Sequence, residues 1–241
     1  MYEYILFDLD GTLTDSGPGI TRCVQYALHK MGIEEPDLDK LRPFIGPPLL
    51  DSFHEFYGFD EAQGRQAVVY YRERFTNRGI FENHVYPGIE KLLADLKASG
   101  KKLAVASSKP EVYVERILEH FGLRTYFDVV VGSGLDGTRT QKEEVVEEAL
   151  RCLLPENLFQ ELMDRKGGKA DGQLQKYVEG KNSAVVMAGD RRFDVEGAKE
   201  YHIASVGTAY GYALPGELSG AGADVIVETV EELENVLLQG S

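Results

Sequence analysis

The sequence predicts an α/β protein with a parallel β-sheet covered by helices on both faces and an all-helical domain inserted after the first strand. Short apolar runs, typical of strands buried on both faces, alternate with segments whose apolar residues recur at helical spacing. Residues 16–86 depart from that alternation, because they have helical periodicity and no convincing strand. This stretch is too long for a simple crossover between two strands, so it predicts a separate domain.

Six apolar runs are the predicted strands. They are short and rich in Val, Ile, Leu and Ala, and they occupy residues 4–9, 102–107, 127–131, 184–188, 203–206 and 224–227. Between the first two runs, one helical face carries Ile89, Leu92, Leu93 and Leu96. Similar patterns predict helices at 114–121, 142–153 and 230–238. Strands that alternate with amphipathic helices indicate βα units and therefore a parallel sheet.

The predicted domain boundaries follow from the inserted helical stretch. Residues 16–86 form the inserted domain, and residues 1–15 and 87–241 form the α/β core domain. The expected hinges are 15–19, which reads DSGPG, and 83–88, which reads NHVYPG, because both are rich in turn residues. We expect the inserted domain to open and close about these hinges and so to gate water and substrate.

Residues 164–183 do not fit the alternation of strands and helices. They are polar and rich in glycine, which predicts a surface insertion with a structural role. Their GGKA is not a phosphate-binding P-loop, since no Ser or Thr follows Lys169.

Composition limits the classes of partner. Lys plus Arg is 26 and Asp plus Glu is 40, which gives a net charge of −14 and argues against nucleic acid or an anionic membrane. Cys23 and Cys152 lie far apart with no CxxC spacing, so we expect reduced thiols in a cytoplasmic protein. No apolar stretch is long enough to span a bilayer, no signal peptide is evident, and the scattered histidines argue against zinc.

Polar side chains follow three of the predicted strands. Asp8 and Asp10 follow the first strand, Ser107 and Ser108 end the second, and Asp190 follows the fourth. In an open parallel sheet, ligands bind in the crevice beyond the carboxyl ends of the strands. The sequence therefore predicts one site that contains all of these side chains.

The residue types at this site indicate phosphoryl chemistry. Several carboxylates close together repel unless a cation is present, and the oxygens of Asp8 and Asp190 suit Mg²⁺. A metal ion would also let an acidic protein hold a phosphate. Asp8 is then the candidate nucleophile and Asp10, two residues on, the candidate acid/base. Lys142, at the start of a predicted helix, would balance the charge of the phosphate and Asp8.

Four motifs resemble those of the haloacid dehalogenase superfamily. Residues 8–12, DLDGT, resemble its first motif in the phosphatase form DxDGT, and Ser107 matches the second, a Ser or Thr that closes an apolar strand. Lys142 matches the third motif, and residues 189–194, GDRRFD, match the fourth, GDxxxD. The chain looks like a phosphoglycolate-phosphatase-type member with a helical cap between motifs one and two. Three further stretches strengthen that placement: 44–49, 132–138 and 221–227.

The resemblance implies a Rossmann-like core, a helical cap and a Mg²⁺-dependent phosphatase. The substrate would be a small phosphorylated metabolite, such as phosphoglycolate or a 5′-nucleotide, and an aspartyl-phosphate would form on the nucleophile. Asp8 would be the nucleophile and a metal ligand, and Asp10 the acid/base with its carbonyl on the metal. The phosphate-binding residues would be Ser107, Ser108 and Lys142, and the remaining metal ligands Asp190 and Asp194.

Some residues have competing interpretations. Lys109 lies two residues after Ser107 and competes with Lys142, whose distance from motif four is longer than usual because of residues 164–183. Asp194 could instead cap the following helix. Arg191 and Arg192 are expected to be solvated, and we assign them no role.

Three other functions are considered from the sequence. A phosphomutase of the β-phosphoglucomutase type would use the same core and move phosphate within a sugar. A dehalogenase would need the attacking Asp but no metal, and it usually lacks the acid that Asp10 supplies. A non-catalytic binding protein would be expected to lack one or more of the carboxylates. The sequence does not predict the physiological substrate, the cap residues that contact it, or the oligomeric state.

Overall fold

The computed structural model describes residues 2–166 and 184–239, and its chain divides into two compact units. One unit comprises residues 1–13 and 86–241, and the other comprises residues 14–85. The predicted boundaries, after residue 15 and after residue 86, lie within two residues of this division. No helix in the described part of the chain is both long enough and apolar enough to cross a membrane.

The larger unit contains a six-stranded parallel sheet, which confirms the predicted fold class. The strand order is β5-β4-β1-β6-β7-β8. Each predicted strand is present, with ends shifted by at most three residues. In chain order, the described strands are β1 Tyr4–Phe7, β2 Thr14–Asp15, β3 His84–Val85, β4 Lys102–Pro110, β5 Val129–Ser133, β6 Val185–Gly189, β7 Ala204–Thr208 and β8 Val225–Val227.

Helices cover the sheet and build the smaller unit. The α-helices are α1 Gly17–Lys30, α2 Leu49–Tyr57, α3 Glu61–Phe75, α4 Ile89–Ala98, α5 Glu111–His120, α6 Lys142–Leu153, α7 Glu156–Lys166, α8 Arg192–Glu200, α9 Glu217–Ala221 and α10 Val230–Gln239. Short 3₁₀ helices span Asp39–Phe44, Gly79–Phe81 and Arg124–Tyr126. Helix α7 was not predicted, and it includes the first three residues of the predicted insertion at 164–183. The rest of that insertion lies outside the described residues.

Helix α6 is fixed to the sheet by its apolar face. Val145, Val146, Ala149 and Leu150 are fully buried and share a hydrophobic cluster with side chains of β1, β4 and β6. These residues recur at helical spacing, so one face of the helix meets the sheet while the other carries its acidic residues. The packing holds Lys142, the first residue of α6, in a fixed position.

The smaller unit is helical, apart from two short strands. Its core includes the aromatic rings of Phe44, Phe53 and Phe59, with the last two stacked at 5.8 Å between ring centres. Strands β2 and β3 pair antiparallel where the chain enters and leaves this unit. The sequence predicts no strand in residues 16–86, so β3 is a small correction.

The two edge strands of the large sheet begin in the same way. Asp128 directly precedes β5, and its Oδ2 accepts a hydrogen bond from the Leu103 N–H at 2.9 Å and another from Lys97 Nζ at 2.7 Å. Asp224 directly precedes β8, and its Oδ2 accepts from the Ser205 N–H at 2.9 Å. Each carboxylate ties the start of an edge strand to the neighbouring strand and so helps to fix the register.

Candidate active site

The sheet brings the predicted site residues to its carboxyl edge. The last residue of β1 pairs with Val105 of β4 and with Ala188 of β6. Asp8 lies one residue beyond the paired position on β1. Ser107 and Asp190 lie two residues beyond the paired positions on β4 and β6. All three side chains are buried. The polar ends of three separate strands therefore meet, as expected for neighbouring strands of a parallel sheet.

Three buried acids form a cluster. Asp8, Asp190 and Asp194 each offer a carboxylate oxygen, and these three atoms lie within 4.8 Å of one another. Burial raises the pKa of Asp190 well above its ordinary value, and the charges of Asp194 and Asp8 raise it further. Burial also raises the pKa of Asp194, to about 6, although Lys142 opposes the change. A bound cation would stabilise the ionised form of this cluster.

The donor set fits a metal ion. Asp190 is fully buried, its Oδ2 accepts a hydrogen bond from the Tyr212 N–H at 2.7 Å, and its Oδ1 has no hydrogen-bond partner in the described part of the chain. A buried carboxylate oxygen without a donor is costly unless something else satisfies it. Because all the candidate ligands are oxygens, the cluster could hold a hard divalent cation such as Mg²⁺.

Two glycines allow the chain to pack directly on Asp190. Gly11 has a φ of +82°, and a Cβ there would lie 2.0 Å from Asp190 Oδ2. A Cβ at Gly211 would lie 2.4 Å from the Cβ of Asp190. Tyr210 ties the two loops together, since its hydroxyl donates to the Thr12 carbonyl at 2.9 Å. Sequence analysis identified the glycine of the first motif but missed the loop at 208–212.

The ammonium of Lys142 contacts three oxygen atoms at the centre of the site. Its Nζ lies 2.7 Å from Asp8 Oδ1, 2.7 Å from Asp194 Oδ1 and 2.8 Å from the Ala106 carbonyl. The contacts with Asp8 and the Ala106 carbonyl are hydrogen bonds and the contact with Asp194 is an ion pair, so the ammonium is held by three groups. A cation at the first residue of a helix opposes the helix dipole, which indicates that the acids determine its position. Burial alone would lower the pKa of Lys142, but Asp194 and Asp8 raise it above its ordinary value.

Lys109, the competing candidate, pairs with a different acid. Its Nζ lies 2.8 Å from Asp10 Oδ2, and the exposed fractions of the two side chains are 6% and 9%. The site thus contains three lysine–aspartate ion pairs, because Lys142 contacts both Asp8 and Asp194 and Lys109 contacts Asp10. The sequence named both lysines and placed Lys142 beside Asp8, but it did not pair Lys109 with Asp10.

The end of β4 is irregular at the predicted phosphate-binding residues. Four steps along β4, from Ala106 to Pro110, match only two steps along β5, so the intervening backbone leaves the ladder. The Ser107 hydroxyl accepts the Lys109 N–H at 3.4 Å. The Ser133 hydroxyl donates to the Ser108 carbonyl at 2.8 Å. Bulges of this kind often occur next to active sites, where they redirect side chains and free backbone groups.

The two carboxylate oxygens of Asp194 contact different partners. Asp194 lies in the first turn of α8, where its Oδ2 accepts the Arg191 N–H at 3.0 Å while its other oxygen contacts Lys142. The capping interpretation of Asp194 is therefore compatible with a place in the acid cluster.

The predicted exposure of Arg191 is wrong, because its buried side chain donates from Nε to Glu217 Oε1 at 2.9 Å.

The family of the chain is shown by its sequence. Residues 5–208 match the family model described as haloacid dehalogenase-like hydrolase, and this chain belongs to that family. Within the family it is a phosphatase-type hydrolase, as its relatives indicate. Proteins named phosphoglycolate phosphatase are among those relatives, which agrees with the predicted subfamily.

Three relatives illustrate this placement. A 5′-nucleotidase of Pseudomonas aeruginosa is 45% identical over 90% of this chain and 87% of its own length. A protein named tyrosine-protein kinase PtkA from Mycobacterium tuberculosis is 35% identical over 98% of this chain and 72% of its own length. The crystal structure of a predicted phosphatase from Clostridium acetobutylicum is 44% identical, covers 99% of both chains and has a TM-score of 0.84.

Proposed function

We propose that the protein is a Mg²⁺-dependent phosphatase that hydrolyses a small phosphomonoester through an aspartyl-phosphate on Asp8. The observation that best supports this proposal is the arrangement around Asp8. One of its oxygens is held by Lys142, it belongs to a buried cluster of three acids, and Asp10 follows two residues later. We favour a nucleoside 5′-monophosphate as substrate, since the P. aeruginosa relative is named a 5′-nucleotidase, with phosphoglycolate as the second candidate.

The reaction would have two halves. In the first, an oxygen of Asp8 bonds to phosphorus while the bond from phosphorus to the leaving oxygen breaks, and Asp10 gives that oxygen a proton. In the second, Asp10 takes a proton from water, whose oxygen bonds to phosphorus. The bond between phosphorus and Asp8 breaks, which releases phosphate and restores both carboxyl groups.

Three groups would hold the phosphoryl group during both halves. The Ser107 hydroxyl and the Ser108 N–H lie on the irregular end of β4, where the backbone leaves the ladder. Lys142, fixed by α6, would supply positive charge beside Asp8. Donors fixed in advance stabilise the charge that develops on the transferred group without a reorganisation cost.

The carboxylates of Asp8, Asp190 and Asp194 and the carbonyl of Asp10 would hold the metal. When bound, Mg²⁺ would neutralise the acids and polarise the phosphoryl oxygens, which lets a protein of net charge −14 accept an anionic substrate. The protein's own contribution is to fix the acids, since both oxygens of Asp194 and one oxygen of Asp190 already contact other groups. The opening and closing of the helical unit stays a prediction.

A substrate screen tests the proposal. The protein would be incubated with Mg²⁺ and nucleoside 5′-monophosphates, 2-phosphoglycolate or β-glucose 1-phosphate, and free phosphate would be measured. Release of phosphate from the first two groups is expected, and no release from any phosphomonoester would overturn the proposal. Isomerised sugar without free phosphate would instead indicate the mutase, and no structural observation favours that alternative. A tyrosine peptide with ATP would check the activity in the mycobacterial relative's name.

A further inference from the structure

The proposed roles leave Lys109 unused, although it forms one of the most buried ion pairs in the described structure. Its Nζ lies 2.8 Å from Asp10 Oδ2, and the two side chains are 6% and 9% exposed. Water screens such a pair far less than it screens a surface pair, so the geometry is held firmly. The partner of Lys109 is the residue proposed to move the proton.

The two oxygens of Asp10 have different surroundings. Oδ2 faces the ammonium of Lys109, whereas Oδ1 is buried and has no hydrogen-bond partner in the described residues. The ion pair with the ammonium occupies Oδ2 and fixes the orientation of the carboxyl group. Oδ1 is therefore left to give a proton to the leaving oxygen and to take one from water.

The local structure explains why Lys109 can hold this position. Lys109 lies on the irregular end of β4, where its own N–H donates to Ser107 Oγ at 3.4 Å. The ammonium of Lys142 is held elsewhere, since it lies within 2.8 Å of oxygens of Asp8, Asp194 and the Ala106 carbonyl. Lys142 thus contacts Asp8 and Asp194, whereas Lys109 contacts Asp10.

We propose that Lys109 is a positioning residue for proton transfer, which fixes the rotation of the Asp10 carboxyl group so that Oδ1 meets the leaving oxygen. This inference rests on the proposed phosphatase function. In the assisted step, the bond between phosphorus and the leaving oxygen breaks, the bond from phosphorus to Asp8 forms, and the proton on Asp10 Oδ1 moves to the leaving oxygen. Lys109 acts on this step through Asp10.

The inference predicts a dependence on the leaving group. An alkoxide is a poor leaving group and needs the proton from Asp10, whereas p-nitrophenolate leaves readily without one. Loss of Lys109 should therefore slow hydrolysis of AMP much more than hydrolysis of p-nitrophenyl phosphate. A damaged metal site or a lost phosphate contact would slow both, because both substrates need Asp8 and the same phosphoryl-binding groups.

The experiment compares kcat/KM for the two substrates, because this ratio covers the steps up to formation of the aspartyl-phosphate. For Lys109→Met we expect a loss of about 10- to 100-fold with AMP, or with 2-phosphoglycolate if that is the alkyl substrate, and about threefold or less with p-nitrophenyl phosphate. Lys109→Arg should recover part of the alkyl activity. Lys97→Met is the matched control, since it removes a lysine–aspartate pair with Asp128 at the other end of the sheet. It should leave kcat/KM unchanged for both substrates.

The outcomes separate the inference from the proposed function. Equal losses with both substrates, or a loss confined to KM, would overturn the role of Lys109 while the phosphatase assignment stands. Absence of wild-type activity on every phosphomonoester would overturn both. If Lys109→Met does not fold, as judged by thermal unfolding, Lys109→Gln replaces it, and the same comparison of substrates decides.

Discussion

Two aspartates at opposite ends of the large sheet have opposite electrostatic surroundings. At the amino end, Asp128 accepts hydrogen bonds from Lys97, Lys102 and the Leu103 N–H. Partial burial would raise its pKa, but these donors lower it to about 2. At the carboxyl end, Asp190 has one backbone donor and one oxygen without a partner among the described residues, and its pKa is raised well above the ordinary value.

The difference separates what stabilises this fold from what the site requires. Asp128 is satisfied by the protein itself, so its charge favours the folded state. Asp190 is held among like charges without enough donors, which disfavours folding unless a cation binds. A buried acid without enough donors is therefore a better guide to the site than an acid with several partners. Four substitutions test this comparison, and the size of the expected effect decreases from Asp8→Asn to Asp128→Asn.

Asp8→Asn should abolish turnover. An amide at this position cannot form the acyl-phosphate, so we expect kcat to fall by about 10⁴-fold or more. Phosphate release with saturating Mg²⁺ and substrate would measure the loss, and circular dichroism would verify that the variant is folded. Retained turnover by a folded variant would reject Asp8 as the nucleophile.

Asp190→Asn should weaken the metal site and stabilise the metal-free protein. The loss of a ligand should exceed the roughly 10- to 100-fold reduction in metal affinity that follows loss of an outer-shell partner. The amide oxygen can still accept the Tyr212 N–H, while repulsion with Asp8 and Asp194 is removed, so the metal-free free energy of unfolding should rise by about 1 kcal/mol. Thermal unfolding with EDTA and with Mg²⁺ would measure both effects. A lower stability in EDTA would contradict the electrostatic account.

Gly211→Ala should disturb Asp190 without removing it. The new Cβ would lie 2.4 Å from both the Asp190 Cβ and the Gly11 carbonyl oxygen, so the two loops must separate. We expect metal affinity to fall by about tenfold, which a Mg²⁺ titration of activity would report. Gly220→Ala is the control, since a Cβ there meets nothing within 4 Å. Equal metal affinity in the two variants would show that the close packing at Gly211 does not matter.

Asp128→Asn should have the smallest effect and the opposite sign on stability. Because the pKa of Asp128 is lowered when the protein folds, its contribution is present above about pH 4 and is lost as the pH falls toward 2. Since water screens this partly exposed site, we expect the variant to lose about 1 kcal/mol of stability at pH 7. Urea unfolding at pH 7 and pH 3 should show that the difference in free energy of unfolding between the wild type and the variant is smaller at pH 3, and kcat/KM should not change. An equal difference at both pH values would mean that the charge of Asp128 is not responsible.

The sequence predicts the sheet well because its strands are continuous apolar runs. Strands buried on both faces leave such runs, and the polar residues that end them mark the carboxyl edge. Asp8, Ser107 and Asp190 can therefore be placed at one edge from the sequence alone. Helix α7 was missed although its apolar residues recur at helical spacing and pack against the hydrophobic cluster beside the sheet: Leu158, Phe159, Leu162 and Met163. Most of the predicted insertion lies outside the described residues.

Of the pairings within the site, that of Lys142 with Asp8 was predicted, but those of Lys142 with Asp194 and of Lys109 with Asp10 were not. Lys109 and Lys142 both have long side chains that can reach any of several acids, and the choice depends on the bulge in β4 and the packing of α6. Arg191 follows a turn in sequence, a pattern typical of solvated arginines, yet in the fold it meets Glu217. These contacts join residues far apart in the chain, so no local spacing predicts them.

The short ladder of β2 and β3 has a consequence for how such chains diversify. Thr14 pairs with Val85 and Asp15 with His84, so the ends of a stretch of about seventy residues are neighbours. A segment with adjoining ends can be lengthened, shortened or exchanged for another without rethreading the sheet it interrupts. Evolution, or a chimera built in the laboratory, can therefore remodel residues 14–85 as a cassette while the strand order of the large sheet stays intact.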